Sequence, residues 1–260
     1  MLGPTALACI WLGAGPWTAL IAVSVALLAW EWVRLCGLST RALPGVAVPV
    51  AVLAAGTLAV AEQGRAALVL LVLLWAAAWW QAARMRGPGR PDLPAAWLAA
   101  GILYIGLAGI AMIELRHDNE AGRANVLFLV LVVWASDIGA YLTGRAFGGP
   151  RLAPSVSPNK TWSGAAGGLA AAIVAGVAAA AILAPGGASR AAAVAAMLGI
   201  MAQAGDLLES WIKRRFGVKD SSGLIPGHGG LLDRLDGLIA AAPVAALLAF
   251  MLGQGQPLWR

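Results

Sequence analysis

A polar segment at residues 210–236 interrupts an apolar chain and carries most of the side chains that could do chemistry. It reads SWIKRRFGVKDSSGLIPGHGGLLDRLD. Lysine and arginine side chains bind phosphate oxygens, and separated aspartates bind a divalent cation such as magnesium. The glycines around His228 let the backbone approach a ligand closely. The segment therefore predicts metal-assisted phosphate chemistry, an interpretation that we prefer to a solvated loop of ion pairs.

The residues just before this segment place its charges on one side of a helix. Spacings of three and four residues put the following side chains on one face, which we expect to point into the protein: Asp206, Glu209, Ser210 and Lys213. Asp233 and Asp236 lie one turn apart at the start of the last apolar run, where carboxylates favour the positive end of the helix dipole. We expect Asp206 and Asp233 to bind one magnesium ion, with phosphate oxygens and water as its other ligands. Asp137, Asp220 and Asp236 are second choices.

An upstream polar cluster is WASDIGAYLTGRAFG at residues 134–148. Asp137 lies inside an apolar run, and Tyr141 follows one helical turn later. An acidic residue within a membrane span is costly to bury, which makes it a candidate for function. The alternative is a structural partner for a buried arginine or for a backbone group.

A third cluster is APSVSPNKTWSG at residues 153–164. Pro158 ends any preceding helix, so we expect the next helix to begin near Asn159 or Lys160, with Thr161 and Ser163 in its first turn. A helix N-terminus with a lysine and hydroxyl groups is suited to binding an anion. The same residues are equally typical of ordinary helix capping.

The composition predicts an integral membrane protein. Of the 260 residues, 60% are hydrophobic and only 12% are charged, against about 25% in soluble domains. The mean hydropathy is +0.81. Because lipid-exposed backbone must satisfy its own hydrogen bonds, we predict an all-α, polytopic helical bundle. We expect a single membrane domain over residues 1–260, with the site motifs in residues 134–240, and no nucleic-acid partner, since no basic stripe is interleaved with aromatics.

Eight apolar runs are long enough to span a bilayer, which takes roughly 20 helical residues. They cover residues 16–35, 43–61, 66–83, 94–115, 124–143, 161–183, 189–209 and 232–253. A shorter run at 2–14 is a ninth span, a half-helix or an interfacial segment. The bundle therefore has eight or nine transmembrane helices.

Basic residues favour one set of loops. Thirteen of the eighteen lysines and arginines fall in alternate loops, which include all three polar clusters. The positive-inside rule assigns these loops to the cytoplasm. We therefore expect a protein of a bacterial-type inner membrane whose active site faces the cytoplasm.

The polar clusters closely resemble the phosphatidate cytidylyltransferase family. The family's long mixed pattern is met here by Ser210, Lys213, Arg214, Lys219, Asp220, Ser222, Pro226, His228, Gly229, Gly230, Asp233, Arg234 and Asp236. Its two upstream segments are met by Asp137, Tyr141, Gly144, Arg145, Ser157, Pro158, Lys160, Thr161 and Trp162. One departure is Ser163, which stands where family members usually carry glutamate.

The resemblance implies that CTP and phosphatidate react to give CDP-diacylglycerol and pyrophosphate. It implies magnesium at Asp206 and Asp233, accompanied by a monovalent cation such as potassium. The catalytic residues that we expect are Asp206, Asp233, Lys213, Asp220 and His228. The substrate-binding residues that we expect are Asp137, Tyr141, Arg145, Ser157, Lys160, Thr161, Ser210, Arg214, Lys219, Arg234 and Asp236.

Two alternatives stay open at this point. The acceptor could be another lipid phosphate, because tail choice depends on the shape of an apolar groove. An ion-coupled transporter would use Asp137 and Asp206 as coupling carboxylates, although no internal repeat of the kind that transporters carry is evident. The sequence is compatible with a homodimer and does not fix the oligomeric state.

Overall fold

The computed structural model describes residues 2–84, 93–118, 120–225, 227, 229–253 and 255–260. Over these residues the chain forms nine helices and one short hairpin. The helices are α1 Leu2–Leu12, α2 Ala14–Leu35, α3 Ala47–Val60, α4 Gly64–Arg84, α5 Leu93–His117, α6 Gly122–Phe147, α7 Trp162–Leu183, α8 Ala188–Arg215 and α9 Leu232–Leu252. The strands are β1 Arg151–Ala153 and β2 Ser157–Thr161, which pair antiparallel.

The prediction of a polytopic helical membrane bundle is confirmed. Seven helices of the described chain are long and apolar enough to cross a membrane, namely α2 and α4–α9. The predicted runs coincide with these helices to within a few residues at most ends. The main exceptions are α6 and α8, which continue past the predicted ends at 143 and 209 to Phe147 and Arg215. Both extensions are polar and carry parts of the candidate site.

Two helices are shorter than a span. The run predicted over 43–61 is helical only from Ala47 to Val60, about 21 Å at 1.5 Å per residue, which is less than the roughly 30 Å hydrocarbon core. Its first residues form turns instead, in which Gly45 packs so closely that a Cβ would lie 2.1 Å from the Ser39 carbonyl oxygen. Of the three alternatives for residues 2–14, the short α1, which Gly13 separates from α2, fits a half-helix in length.

The hairpin between α6 and α7 replaces the predicted helix start near Asn159. Residues up to Thr161 belong to β2, so α7 begins at Trp162, with Thr161 as its N-cap. The Thr161 hydroxyl accepts a hydrogen bond from the Gly164 N–H at 3.1 Å, which is ordinary capping chemistry. Ser163 donates its hydroxyl to the Gly148 carbonyl and thereby ties the end of α6 to the start of α7.

Small residues bring α6, α7 and α8 into close contact, as the glycine-rich stretch at 164–181 predicts. A Cβ on Gly168 would lie 2.8 Å from the Ser136 carbonyl, and one on Gly139 would lie 2.4 Å from the Ala171 Cβ. At this distance the backbones of α6 and α7 touch. As a result, the C-terminal end of α6 and the N-terminal end of α7 are fixed side by side at one end of the bundle, which we call the polar end.

At the opposite end, the chain terminus folds back onto the bundle. The Trp259 side chain is fully buried, stacks on Phe128 with ring centroids 4.6 Å apart and donates to the Ala184 carbonyl. Asn125 accepts a hydrogen bond from the Leu258 N–H at 2.9 Å. This end is therefore closed by packing and by hydrogen bonds to backbone groups.

Candidate active site

Acidic side chains from α6, α8 and α9 gather at the polar end. The Glu209 and Asp236 carboxyls are in contact, and Asp236 is close enough to Asp206 and Asp137 for mutual charge repulsion. Glu209 is fully buried, whereas Asp137 is exposed at the surface of the cluster. The predicted inward face of α8 is therefore confirmed, and it meets carboxylates from both neighbouring helices.

Two lysines neutralise part of this charge. Lys160, at the end of β2, forms a salt bridge with Asp206. Lys213 lies between two carboxylates, with its ammonium nitrogen 3.4 Å from Glu209 Oε1 and 2.5 Å from Asp233 Oδ1. The Lys213 and Asp233 side chains are only 12% and 7% exposed, so this pair is largely shielded from solvent. A phosphate that enters the site would compete with these two carboxylates for the Lys213 ammonium.

Asp233 also anchors the loop that precedes α9. Its Oδ2 accepts hydrogen bonds from the Ser221 N–H at 2.9 Å, the Ser221 hydroxyl at 3.0 Å and the Gly230 N–H at 2.8 Å. These donors lie at the two ends of the loop of residues 221–230. Asp233 therefore closes the loop and keeps its own carboxylate beside Lys213.

Gly205 allows the two acidic helices to approach. It faces α9, where a Cβ would lie 2.6 Å from the Asp236 carbonyl oxygen and 2.5 Å from the Ala240 Cβ. Only a residue without a side chain fits this gap. The glycine next to Asp206 thus sets the distance between the carboxylates of α8 and α9.

The donor set is compatible with a magnesium ion that completes its coordination with ligands from a substrate. No three histidine, cysteine, aspartate or glutamate side chains of the described residues lie close enough together to hold a metal ion. Magnesium is usually held by one or two carboxylates, with phosphate oxygens and water as its remaining ligands. Asp206 and Asp233 lie at the same end of the bundle and are connected through Asp236, Glu209 and Lys213.

Tyr141 and Arg145 lie on an exposed part of α6. The Arg145 guanidinium donates to the Tyr141 hydroxyl at 3.0 Å, and the Tyr141 side chain is 62% exposed. Both residues are on the same helix as Asp137, one and two turns closer to its C-terminus. The structure thus places them next to the acidic cluster as a pair, and their predicted binding of substrate stays a prediction.

Arg214 connects the hairpin to the turn that follows α8. Its guanidinium donates to the Val156 carbonyl at 3.4 Å and to the Val218 carbonyl at 3.1 Å. Ser157, the next residue in β2, is half-buried beside this contact. The hairpin therefore delivers Lys160 to the acidic cluster while Arg214 holds it against α8.

The remaining predicted site residues surround the cluster. Lys219, Asp220 and Arg234 are exposed, and Ser210 is half-buried on α8. Asp220 lies close to Gly229, since a Cβ on that glycine would be 3.6 Å from the Asp220 carboxyl oxygen. His228, predicted to be catalytic, lies outside the described residues.

Three residues at this site were absent from the predicted set. They are Glu209, Glu31 and Ser221. Glu209 lies on the predicted polar face of α8, so its neighbours indicated its position. Glu31 is an acid inside an apolar run, the same signal that identified Asp137. Ser221 had no distinguishing signal, because its role depends on contacts with Asp233 and with Glu31, which is 190 residues away in sequence.

This fold and site define a polytopic helical membrane protein with a compact set of carboxylates and lysines at one end. The chain belongs to the cytidylyltransferase family, whose sequence model matches residues 1–252. A phosphatidate cytidylyltransferase of Pseudomonas aeruginosa is 41% identical over an alignment of 267 positions, gaps included, that covers 99% of this chain and 96% of that protein.

Two other relatives align over shorter segments. A phosphatidate cytidylyltransferase of Brucella suis is 49% identical over 158 residues, or 61% of this chain, and the chain spans 58% of that protein's length. One of Haemophilus influenzae is 37% identical over 199 residues, with 70% of this chain and 69% of that protein aligned. The similarity thus includes one relative that is matched over nearly its whole length.

Proposed function

We propose that this protein transfers the cytidylyl group of CTP to phosphatidate and releases pyrophosphate. The observation that carries the proposal is the 41% identity to the Pseudomonas aeruginosa phosphatidate cytidylyltransferase over 99% of the chain. The lysines and carboxylates of the polar end suit the chemistry, because phosphoryl-type transfers depend mainly on positioning and on charge neutralisation.

In the proposed reaction, a phosphate oxygen of phosphatidate attacks the α-phosphorus of CTP. A new P–O–P linkage forms, the bond between the α-phosphorus and the bridging oxygen breaks, and pyrophosphate leaves with that oxygen. Lys160 and Lys213 neutralise phosphate charge as it enters, and the exposed Arg145 and Lys219 attract the anionic substrates from solution. Asp206 holds Lys160 in place through a salt bridge, and Asp233 holds Lys213 in the same way.

Asp206 and Asp233 would hold magnesium, which supplies charge neutralisation for the triphosphate. A monovalent cation such as potassium beside it would lower the repulsion among the remaining carboxylates. Asp206 suits this role because 36% of its side chain is exposed, so an arriving ion and its water ligands can reach it. Asp233 would bind the ion through Oδ1, because its Oδ2 already accepts hydrogen bonds from the loop. Lys213 holds Oδ1 in this structure and would have to transfer to a phosphate oxygen.

We place the polar end at the cytoplasmic face of a bacterial inner membrane. Loops with an excess of lysine and arginine favour that side, and CTP is dissolved in the cytosol. The lipid would reach the site laterally from the bilayer, where its acyl chains stay between helices. The exposed Asp137 on α6 marks a side of the cluster that is open to the surroundings.

The test is pyrophosphate release by purified protein in detergent or in lipid vesicles. We expect release only when CTP, phosphatidate and magnesium are all present, and we expect CDP-diacylglycerol as the lipid product. Isoprenoid and ether lipid phosphates serve as competing acceptors in parallel reactions. Turnover with one of these lipid phosphates and no turnover with phosphatidate would show that phosphatidate is not the acceptor. Cation-driven solute uptake without CTP turnover would refute the enzymatic function altogether.

A further inference from the structure

A buried glutamate on α2 reaches across the bundle to the loop before α9. Glu31 is fully buried in the last turns of the apolar helix α2. Its carboxylate accepts hydrogen bonds from the Ser222 hydroxyl at 2.5 Å, the Leu231 N–H at 2.8 Å and the Leu232 N–H at 2.7 Å. A charge buried so deeply is tolerated only where hydrogen bonds satisfy it.

Two of these donors are the backbone N–H groups of Leu231, the N-cap residue, and of Leu232, the first residue of α9. A helix leaves its first N–H groups without partners inside the helix, and its positive dipole end favours a negative charge. No side chain of the N-cap residue Leu231 caps α9. The Glu31 carboxylate therefore caps α9 from a residue 200 positions away in sequence. This contact fixes where α9 begins, and Asp233 is its second residue.

A second route connects Glu31 to Asp233 through one hydroxyl. The Ser221 oxygen lies 3.3 Å from Glu31 Oε2 and 3.0 Å from Asp233 Oδ2. A hydroxyl has a single proton to donate, so the two carboxylates share one donor. Gly230 leaves room for this arrangement, since a Cβ there would lie 2.0 Å from the Ser221 oxygen and 2.6 Å from Glu31 Oε1.

We propose that Glu31 is a positioning residue for the active site. It sets the position of the Asp233 carboxylate by fixing both the start of α9 and the loop that contacts Asp233. Glu31 itself does not touch a substrate in this proposal. The inference rests on the proposed function for its kinetic part, whereas its structural part is independent of the reaction.

A carboxylate is required because every contact at this position is a donor. Glutamine has the same shape, but its amide nitrogen would face an N–H or a hydroxyl and lose the hydrogen bonds on one side. Aspartate keeps the charge and both acceptor oxygens but is one methylene shorter, so it retains only part of the contact with α9. We therefore expect Glu31→Gln to disturb the α9 cap and the kcat more than Glu31→Asp does.

The matched control is Asp118→Asn at the opposite end of the bundle. Asp118 also accepts backbone hydrogen bonds, from the Ala121 N–H at 3.0 Å and the Gly255 N–H at 2.8 Å. It therefore holds a loop as Glu31 does, without contact to the polar end. If the loss of a carboxylate that holds a loop lowers the stability in a general way, both variants will show that loss of stability.

The test combines hydrogen–deuterium exchange with kinetics on the full-length protein in detergent. Glu31→Gln is expected to exchange the amides of Leu231 and Leu232 at least about tenfold faster, since these capped N–H groups lose their partner. Its kcat for pyrophosphate release is expected to fall by up to about 100-fold, while KM for CTP changes far less, because a displaced catalytic group slows the reaction step. Glu31→Asp is expected to recover part of both, and Asp118→Asn to change neither.

Wild-type exchange and wild-type kcat in Glu31→Gln would overturn the inference. Equal losses of kcat in Glu31→Gln and Asp118→Asn would also overturn it, because the role would then be structural stability alone. If Glu31→Gln does not fold, Glu31→Asp decides the question. Wild-type exchange and wild-type kcat in Glu31→Asp would refute the positioning role, and an exchange rate above that of the wild type together with a reduced kcat would support it. Absence of CTP turnover in the wild type would refute the proposed function, and the exchange data would still decide whether Glu31 holds the loop.

Discussion

Substitution of Gly205 by alanine tests whether the distance between α8 and α9 controls the reaction. Gly205 precedes Asp206 and faces the backbone of Asp236. The added methyl carbon would lie 2.6 Å from the Asp236 carbonyl oxygen and 2.5 Å from the Ala240 Cβ. Neither of these atoms belongs to a flexible side chain, so the helices themselves must move apart.

The size of the effect follows from these two distances. Carbon atoms pack at about 3.5–4.0 Å, so α9 must shift by about 1 Å. Overpacking of this kind costs about 1–3 kcal/mol, partly offset by a gain of about 0.8–1.0 kcal/mol when alanine replaces glycine in a helix. A displacement of 1 Å at a reacting centre reduces the rate by about 100-fold. We therefore expect a large loss of kcat and a small loss of stability.

The assay is magnesium-dependent pyrophosphate release, with thermal unfolding measured on the same preparation. Gly56→Ala is the matched control, because Gly56 is also inside an apolar helix and a Cβ there would have no neighbour within 4 Å. The control is expected to retain the wild-type kcat and to be as stable as the wild type or slightly more stable. A Gly205→Ala protein with wild-type kcat would refute the reasoning that this helix contact sets the geometry of the site.

Three further substitutions test other contacts. Asp233→Asn should abolish pyrophosphate release. It should also lower the free energy of unfolding by about 3–5 kcal/mol, because it breaks the shielded ion pair with Lys213. Wild-type turnover in this variant would refute a role of Asp233 in the reaction. Lys219→Ala, at an exposed position, should raise KM for CTP and leave thermal unfolding unchanged, and unaltered kinetics would contradict its role in substrate capture. Trp259→Ala should lower the stability by about 3–5 kcal/mol by unstacking Phe128, with kcat of the folded fraction unchanged, as thermal unfolding and initial rates would show.

Hydropathy was sufficient to locate the membrane helices because the signal is local. The run predicted at 94–115 is the helix Leu93–His117, and that at 161–183 is the helix Trp162–Leu183. The run at 43–61 shows the limit of this signal. Its apolar residues continue beyond the helix, but the turn at Gly45 is fixed by contact with the end of α2, which hydropathy does not register.

Helical periodicity was sufficient to predict which side of α8 faces the site. Glu209 and Asp206 follow that spacing, and both reach the acidic cluster. Periodicity does not reveal which cation neutralises which carboxylate. The pairing of Lys160 with Asp206 depends on the hairpin, whose two strands are too short to show an alternating pattern.

Contacts between remote parts of the chain could not be predicted from the sequence. Glu31 shares no motif with residues 221–232, and its hydrogen bonds to them exist only because α2 and α9 pack in the same bundle. The early part of the chain therefore contributes to the site, and it lies within the residues 1–252 that the family model matches. A prediction confined to residues 134–240 leaves this contribution out.

The balance of charge in the cluster bears on the proposed metal. The site gathers more acidic than basic side chains, which are Asp137, Asp206, Glu209, Asp233 and Asp236 against Lys160 and Lys213. The Glu209 and Asp236 carboxyls share one proton in their contact, so four negative charges and two ammonium groups give a formal charge of −2. This charge would repel a triphosphate and an anionic lipid alike, and one magnesium ion would bring it to zero. This balance supports the proposal that Asp206 and Asp233 bind magnesium during the reaction, because the lysines alone cannot neutralise both the carboxylates and the incoming phosphates.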